Sequence, residues 1–500
     1  MSRVLGFVRD LLIARQLGAD ALTDAFFVAF KIPNFLRRLF AEGAFSQALV
    51  PVLTESKTGG LAETRDFISK LIGPFMLLLG LITLLGIALA PLIVGLFAPG
   101  LYLNGDVFEL TVSLLRVTFP YLFFISLTAF AGAILNTFGH FALPALTPIL
   151  LNVSLIAASL WLAPELPVPV MALAFGVLVA GVLQWGIQLP ALYRIGLLPK
   201  PRLVLRDARV NQVFRLLLPA LLGASVQQIN LLLNTVIASF LVSGSISWLY
   251  YSDRLLEFPL GIFGVALGTV VLPHLSRDRH ENSPERYSAT LDWALRWVMV
   301  VGVPASLALG LLAQPLMLTL FQSAEFSERD AEMAARSLMA YAPGLPGFMA
   351  VKVLTPAFSA RQEMATPARL ASFSVAANLF LSVFFAIMLS PHQWGHAGLA
   401  LAVSLAACLN AVGLLAVLLK KRAYQPVSGG WSFLFRLLLA SAALGVWLVY
   451  SGQHYDWVGG SGLGRMVELG RVIFIGGMVY LLGLVLTGLR PRHLVSSNRL

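Results

Sequence analysis

Charged residues are scarce in this sequence of 500 residues. They make up 12% of the chain, and hydrophobic residues make up 58%, whereas soluble domains average about 25% charged and roughly 45–50% apolar residues. The mean hydropathy is +0.83, and no polar tract is long enough to fold as a separate soluble domain. The composition therefore excludes an ordinary soluble protein and predicts a polytopic membrane protein that is all-α.

Cysteine and histidine are also few. Cys408 is the single cysteine and lies in an apolar run, so a disulfide framework is excluded and redox chemistry is not expected. The seven histidines are dispersed along the chain and show no spacing typical of metal ligands. We therefore expect neither a metal nor a cofactor.

Motifs of common enzyme classes are missing as well. The sequence contains no Walker loop, HExxH zinc pair or GxSxG elbow, and we do not expect an enzyme. Acids beside arginines leave phosphoryl or glycosyl transfer as an alternative. The net charge of +11 does not indicate nucleic-acid binding, because the basic residues are scattered over short loops rather than gathered with aromatic residues on one face.

Long apolar runs are abundant by contrast. Windows of about 20 apolar residues, the length that crosses the hydrocarbon core, recur about fourteen times between clusters of proline, glycine and charge. The loops alternate in charge: "SRDRHENSPER" and "KKRAY" are basic, whereas "FAPGLYLNGD" and "VSGSIS" contain no lysine or arginine. Since basic loops remain in the cytoplasm, both termini are predicted to be cytoplasmic.

The second half of the chain repeats features of the first half. "ALAFGVLVAGVLQ" resembles "GLALAVSLAACLN" 226 residues later. Three prolines recur at nearly the same offset, namely Pro33 with Pro259, Pro120 with Pro343 and Pro144 with Pro367. Each half holds six predicted spans, an even number, so both halves enter the membrane in the same orientation. This is typical of a parallel repeat with a central cavity between two lobes.

The repeat predicts three parts of the chain. Residues 1–200 form an N-terminal lobe, residues 201–425 form a C-terminal lobe, and residues 426–500 form an additional pair of helices. The seventh span begins near Val213, whose counterpart at the same offset would precede Met1. We therefore expect the first helix to be truncated.

Charges inside a predicted span are the main functional signal, in the stretch "KIPNFLRRLFAEGAFSQALVP". A charge at the centre of a membrane helix costs about 2.5–3.5 kcal/mol, so these groups need water, partners or a ligand. On an ideal helix, Asp24, Lys31, Arg38 and Glu42 form one polar stripe. The spacing of Arg38 and Glu42 favours a mainly structural pair. Arg37 has no acid three or four residues away, which makes it the better ligand candidate.

Arginine is the informative residue type in these spans. The first span, "SRVLGFVRDLLIAR", adds further arginines, and "YYSDRLLEFP" places Asp253, Arg254 and Glu257 just before Pro259, the repeat mate of Pro33. A guanidinium stays protonated and offers a fork of donors that matches phosphate or carboxylate oxygens. A proton relay would favour acids or histidine, and a cation exporter would favour an acidic pocket. The pattern therefore predicts a site for a multiply charged anion.

Several stretches resemble one transporter family. "TDAFFVAFKIPNFLRRLFAEGAFSQALVP", "PALTPILLN" and "SWLYYSDRLLEFPLGIFGVALGTVVLP" are similar to the MurJ (MviN) family of lipid II flippases, within the multidrug, oligosaccharidyl-lipid and polysaccharide exporter superfamily. The similarity covers essentially the whole chain. It implies two six-helix lobes with two C-terminal helices that form a lipid-tail groove. It also implies that undecaprenyl-linked disaccharide-pentapeptide crosses the bacterial inner membrane by alternating access.

The resemblance implies roles for individual residues. The family's cavity arginines, expected to bind substrate, fall on Arg3, Arg9, Arg37 and Arg254. Supporting or gating roles are expected for Asp10, Asp24, Lys31, Asn34, Arg38, Glu42, Asp253 and Glu257.

Partners and energy follow from the same resemblance. It implies a monomer that binds lipid II and membrane lipids and is coupled to the cell-wall synthesis machinery. The energy source is left open between the membrane potential and a coupled ion. A related exporter of another polyprenyl-linked glycan or of drugs is the alternative.

Overall fold

Helices and the short turns between them make up the described part of the chain. The computed structural model describes residues 2–39, 45–204, 207–280, 283–426 and 429–489, and none of these residues lies in a β-strand. The predicted all-α class is confirmed. By packing, the chain divides into two compact units, Met1–Ser247 and Trp248–Leu500.

The helices of the first unit begin with a short pair and continue with longer apolar segments. They are α1 (Ser2–Leu17), α2 (Ala21–Leu39), α3 (Phe45–Thr58), α4 (Leu61–Ala88), α5 (Ala90–Phe97), α6 (Gly105–Thr118), α7 (Tyr121–Thr137), α8 (Ala142–Ala157), α9 (Val170–Gly186), α10 (Leu189–Arg194) and α11 (Ala208–Ala238). Packing places α11 in the first unit, whereas the sequence assigned it to the second lobe. The predicted lobe limits stay a prediction.

The second unit starts within a helix and ends with a helical pair. Its helices are α12 (Ser245–Pro259), α13 (Val265–His280), α14 (Pro284–Leu311), α15 (Ala313–Leu320), α16 (Glu328–Tyr341), α17 (Leu345–Ser359), α18 (Ala365–Leu389), α19 (Gly395–Lys420), α20 (Gly430–Gln453) and α21 (Gly462–Leu486). Asp330 and Ser327 form a reciprocal cap at the start of α16, which satisfies two orphan donors of its first turn.

Eleven helical stretches among the described residues are long and apolar enough to cross a bilayer. The three other predicted spans coincide with α1, with α2 and α3, and with α11. Helices α1 and α3 have 16 and 14 residues, fewer than the roughly 17–25 of a typical span. Length and composition therefore support a polytopic membrane protein without confirming the predicted count of fourteen.

Equivalent prolines occupy equivalent places in the two units. Pro144 is the third residue of α8 and Pro367 is the third residue of α18, where the missing proline N–H has little cost. Pro120 immediately precedes α7, and Pro343 lies in the turn immediately before α17. In the first unit α7 and α8 pack against α9, and in the second unit α17 and α18 pack against α19. The predicted repeat thus extends to the packing within each unit.

Glycines permit the closest helix contacts of the second unit. A Cβ atom added at Gly344 would lie 2.7 Å from the Cα atom of Ser404, and one at Gly347 would lie 3.0 Å from the Sγ atom of Cys408. Small residues let membrane helices approach and gain van der Waals contact. Cys408 therefore acts here as a small packing residue between α17 and α19.

The C-terminal helices pack on the second unit. Helix α20 contacts α14 and α21 contacts α15, and the hydroxyl of Tyr480 donates a 2.7 Å hydrogen bond to the carbonyl oxygen of Val300. Large apolar side chains of both helices are exposed, including Trp431, Phe435 and Phe474, as expected for residues that face lipid. The lipid-tail groove stays a prediction.

A small ion network joins two loops of the second unit. The Lys421 ammonium donates to Glu363 at 2.7 Å, and Arg361 lies 3.4 Å from the same carboxylate. The hydrogen bond from Lys421 and the two positive charges lower the pKa of Glu363. Because the pKa of Glu363 is lower in the folded protein than in the unfolded chain, its ionised form stabilises the fold at pH values above the ordinary carboxyl pKa. This stabilisation is lost as the pH falls through the lowered pKa.

Substitution of Gly344 by alanine should destabilise the second unit. The added methyl group would meet the backbone of Ser404, and overpacking of this kind costs about 1–3 kcal/mol. The unfolding temperature of the purified protein in detergent should fall. In Gly445→Ala on α20, the new methyl group meets nothing within 4 Å, so this control should unfold at the wild-type temperature or above. Equal behaviour of the two variants would contradict the packing argument.

Candidate functional site

A polar cavity of about 430 Å³ lies within the first unit. Pockets that take small ligands measure about 300–1,000 Å³, so its size suits a ligand rather than a single ion. Its walls come from α1, α2, α7, α8, α9 and the turn after α9. The lining residues with polar side chains are Ser2, Arg37, Tyr121, Thr128, Asn136, Thr147, Asn152, Gln184 and Gln188.

The charge of this lining is positive. Among the described residues that line the cavity, Arg37 is the one charged side chain, and none of them carries a carboxylate. The other polar groups are carboxamides and hydroxyls, which both donate and accept hydrogen bonds. The cavity therefore suits an anionic group next to neutral polar groups.

Arg37 is held by its own helix. It lies in the last turn of α2, where the helix dipole favours a cation, and its Nε donates a 2.9 Å hydrogen bond to Oδ1 of Asn34. This contact orients the guanidinium, which explains how the predicted supporting residue Asn34 can assist Arg37.

Two glutamines connect the helices around the cavity. The Gln184 Nε2 donates to the carbonyl oxygen of Thr147 at 2.8 Å, and the Gln188 Nε2 donates to that of Thr128 at 3.2 Å. These side chains are 2% and 1% exposed. Their Oε1 atoms accept no hydrogen bond from the described residues. Sequence reasoning missed both glutamines, although their spacing of four within an apolar run was a usable signal.

Arg9 lies behind one wall of the cavity. Its Nε and Nη2 donate to Oδ1 of Asp10 at 2.8 and 2.6 Å, and its Nη1 donates to Oδ1 of Asn152 at 3.0 Å. The Nδ2 of Asn152 in turn donates to the carbonyl oxygen of Ser2 at 3.1 Å. Arg9 and Asp10 are 8% and 1% exposed. Arg9 thus contacts a lining residue, whereas Arg3 on the first turn of α1 is exposed.

Asp24 organises the last turn of the first unit. Its carboxylate accepts hydrogen bonds from the Gly244 amide at 2.7 Å and from the Ser247 amide and hydroxyl at 2.7 and 2.6 Å. Asp24 is 5% exposed, and such charge-assisted bonds are about twice as strong as neutral ones. The fold therefore uses this predicted gating residue to fix a turn more than 200 residues away in the chain.

The rest of the predicted polar stripe is only partly described. The Lys31 Nζ donates to Oγ1 of Thr235 at 3.3 Å, and Arg38 is half-buried. Glu42 lies outside the described residues, and so does its predicted pair with Arg38.

The second unit contains the other predicted residues. The Arg254 Nη1 lies 2.6 Å from Oε2 of Glu257, and its guanidinium stacks over the Tyr250 ring at 4.7 Å. Asp253 is half-buried on the same helix. The arginine is thereby oriented by an acid and by an aromatic face.

The comparisons with known proteins decide the family. A family model described as lipid II flippase MurJ matches residues 13–468. The chain belongs to this family. A lipid II flippase MurJ of Burkholderia cenocepacia is 43% identical, with 92% of this chain and 89% of that protein covered.

Solved structures agree with the family. A lipid II flippase MurJ in an inward closed conformation is 25% identical, covers 96% of both chains and has a TM-score of 0.78. An inward-facing multidrug resistance MATE transporter of the MOP superfamily is 15% identical, covers 85% of this chain and 95% of its own, and has a TM-score of 0.66. The second match shows the shared fold. The predicted family is confirmed, whereas the superfamily and the roles assigned to single residues stay predictions.

Substitution of Asp24 by asparagine should destabilise the first unit. The side-chain amide of asparagine keeps one acceptor oxygen, but its NH₂ group would face a backbone N–H of Gly244 or Ser247, which needs an acceptor. Loss of a hydrogen bond to a charged group costs about 1.5–3 kcal/mol. The unfolding temperature in detergent should fall.

Asp20→Asn is the matched control for this substitution. Asp20 accepts a 2.9 Å hydrogen bond from the Thr23 amide at the start of α2, and asparagine caps a helix about as well as aspartate. Its unfolding temperature should match the wild type. A wild-type value for Asp24→Asn would contradict the structural role assigned to this carboxylate.

Proposed function

We propose that the protein is a lipid II flippase of the bacterial inner membrane. It moves undecaprenyl-pyrophosphate disaccharide-pentapeptide from the cytoplasmic to the outer leaflet by alternating access, without changing it chemically. Family membership supports this proposal, and so does the likeness to a flippase in an inward closed conformation. The observation on which the proposal mainly rests is that Arg37 lines a cavity of about 430 Å³ together with neutral polar side chains.

Arginine chemistry connects this observation to the substrate. A pyrophosphate carries several negative charges, and the fork of a guanidinium can bind two of its oxygens at once. We assign the pyrophosphate to Arg37 first, because it lines the cavity. Arg3 on α1 and Arg254 on α12 are further binding residues in this proposal. Arg9, which contacts Asp10 and Asn152, binds or positions the substrate from behind the cavity wall.

The predicted orientation of the chain supports a cavity on the cytoplasmic side. The basic loops predict cytoplasmic termini. If the spans alternate from there, the start of α1, the end of α7, the start of α8 and the end of α9 all lie at the cytoplasmic side. The cavity lining comes largely from these ends, so it lies in the half of the membrane where lipid II is supplied.

Arg37→Ala should strongly reduce transport while the protein still folds. Loss of a desolvated charge partner costs about 2–5 kcal/mol, so translocation of lipid II should fall by roughly thirtyfold or more. Arg37→Lys should restore only part of the rate, because it keeps the charge and loses the fork. Purified variants in liposomes would be measured for lipid II translocation, with and without an imposed membrane potential.

Arg65→Ala provides the matched control for these measurements. Arg65 is an exposed residue of α4, and its loss should leave both the translocation rate and the unfolding temperature unchanged. A folded Arg37→Ala variant that transports lipid II at the wild-type rate would refute the assignment.

We further propose that α20 and α21 accept the polyprenyl tail. A tail much longer than an ordinary acyl chain cannot enter a charged cavity and needs an apolar surface continuous with the bilayer. Both helices expose large apolar side chains, such as Leu438, Val446 and Leu481. Their packing on α14 and α15 fixes them to the second unit.

Deletion of residues 422–500 should therefore impair transport in a manner that depends on tail length. The truncated protein should translocate undecaprenyl lipid II poorly, because the long tail has lost its surface. It should retain more activity toward a lipid II analogue with a short polyprenyl chain. Liposome assays with the two substrates would compare the rates. An equal loss for both substrates, or no loss for either, would contradict a role in tail binding.

A further inference from the structure

Helix α12 is fastened to α16 near its first turn. The Trp248 Nε1 donates a 2.9 Å hydrogen bond to Oδ1 of Asp330, and the Ser252 hydroxyl lies 2.7 Å from the carbonyl oxygen of Ala334. Trp248 and Ser252 are 3% and 0% exposed. These contacts hold the part of α12 that immediately precedes Arg254.

A buried histidine of α19 lies beside this fastening. His396 is 0% exposed, and its ring centroid lies 5.0 Å from that of Trp248. Its Nδ1 lies 2.7 Å from Oγ of Ser337 on α16. His396 therefore contacts both of the helices that are fastened together, and no step of the proposed transport uses it.

The second ring nitrogen of His396 has no use for a proton. Nε2 is buried and has no hydrogen-bond partner among the described residues. A neutral imidazole carries one N–H, whereas the protonated ring donates from both nitrogens. Protonation in place would therefore bury a charge together with a donor that finds no acceptor, which is costly in a protein interior. The observed packing suits the neutral ring only.

The surroundings of His396 also oppose a positive charge. It is the second residue of α19, where the helix dipole disfavours a cation, and the basic residue Arg336 directly precedes its partner Ser337. The titratable and charged groups on the adjoining turns of the elements around the ring are Asp330, Glu332, Arg336 and Tyr341 on α16, Asp253 on α12 and His392 in the turn before α19.

The acids of α16 are engaged with other groups. Asp330 accepts from Trp248 and from the hydroxyl of Ser327, and Glu332 lies 2.5 Å from the guanidinium of Arg336. In the part of the chain that the structure describes, no carboxylate forms an ion pair with His396. A proton on the ring consequently has no local counter-charge.

We propose that His396 is a proton-operated latch for the first turns of α12. The neutral ring keeps Trp248 and Ser252 packed against α16. An ordinary imidazole titrates near pH 6.5, so below this pH the ring gains a proton only by leaving its buried place. Proton uptake thus favours the state in which α12 has separated from α16. Since only the open state takes up the proton, each further pH unit favours opening by up to about tenfold.

The latch has a consequence for transport. The loop "VSGSIS" before α12 contains no lysine or arginine and is predicted to lie on the outer side of the membrane. Arg254, a proposed binding residue, lies six residues after Trp248 on the same helix. The latch therefore makes the placement of Arg254 sensitive to the outer pH. This consequence rests on the proposed function, whereas the latch itself does not.

The first test follows the separation of α12 from α16 through one thiol. Ser252→Cys is combined with Cys408→Ser, which removes the single native cysteine. Alkylation of the purified protein by N-ethylmaleimide is measured at pH 7.5 and at pH 5.5. Each rate is divided into that of a free thiol at the same pH, which cancels the titration of the thiol and gives the protection of position 252.

Three further variants are made in this background. His396→Gln removes the titrating ring and keeps a polar group, and His396→Phe keeps a ring without a titrating nitrogen. His392→Gln is the matched control, because His392 is exposed in the turn before α19. Unfolding temperatures at pH 7.5 establish that each variant is folded.

The expected result is a pH dependence that requires His396. With His396 present, protection should fall by about tenfold from pH 7.5 to pH 5.5, as linkage predicts for one imidazole that titrates near pH 6.5. His392→Gln should show the same fall. His396→Gln and His396→Phe should change by less than about twofold, because neither variant can take up the proton. In liposomes, acidification of the outer side should slow lipid II translocation by the wild type more than translocation by His396→Gln.

The contradicting results separate the latch from the proposed function. If protection does not fall with His396 present, or falls equally in the folded His396 variants, the latch is wrong and the proposed function is unaffected. If acidification slows translocation equally in the wild type and in His396→Gln, the latch does not regulate transport. If the wild type does not translocate lipid II at pH 7.5, the proposed function fails, and the protection values still decide the latch.

Discussion

The cost of placing a polar group away from water is the constraint on which this structure depends. A charge at the centre of a membrane helix costs about 2.5–3.5 kcal/mol even by the more lenient insertion scale, so each such group requires a partner. Asp24 meets this requirement with the Gly244 and Ser247 donors. Arg9 meets it with Asp10 and Asn152. These contacts join distant parts of the chain within one unit, so that solvation of a polar group also fixes the fold.

The polar cavity of the first unit differs from these satisfied contacts. Arg37 lines it together with described residues that include no carboxylate, and the carbonyl oxygens of Gln184 and Gln188 accept no hydrogen bond from the described residues. Elsewhere the unit surrounds its buried charges with hydrogen-bond partners, whereas here polar side chains line a space large enough for a ligand.

Close helix packing makes this contrast possible. In the first unit a Cβ at Gly181 would lie 2.9 Å from Cδ2 of Tyr121, so α7 and α9 are held together by direct contact. The equivalent helices of the second unit meet at Gly344 and Ser404. Tight crossings of this kind give the cavity walls a fixed spacing, and the glutamine oxygens consequently keep a fixed direction. The repeat seen in the prolines thus corresponds to a shared packing of three helices within each unit.

The sequence by itself determined that the protein lies in a membrane, that it is all-α and which family it resembles, because the length of apolar runs, the charge of loops and long motifs are local properties. It also singled out Arg37, since the absence of an acid one helical turn away can be read from residues 33–41. Only the tertiary structure decided that Asp24 contacts Ser247 and that Gln184 and Gln188 face Arg37's cavity. Helical periodicity shows on which side of its own helix a residue lies, but it does not show which other helix packs against that side. That choice depends on packing between segments far apart in the chain, which a single sequence does not encode in any local pattern.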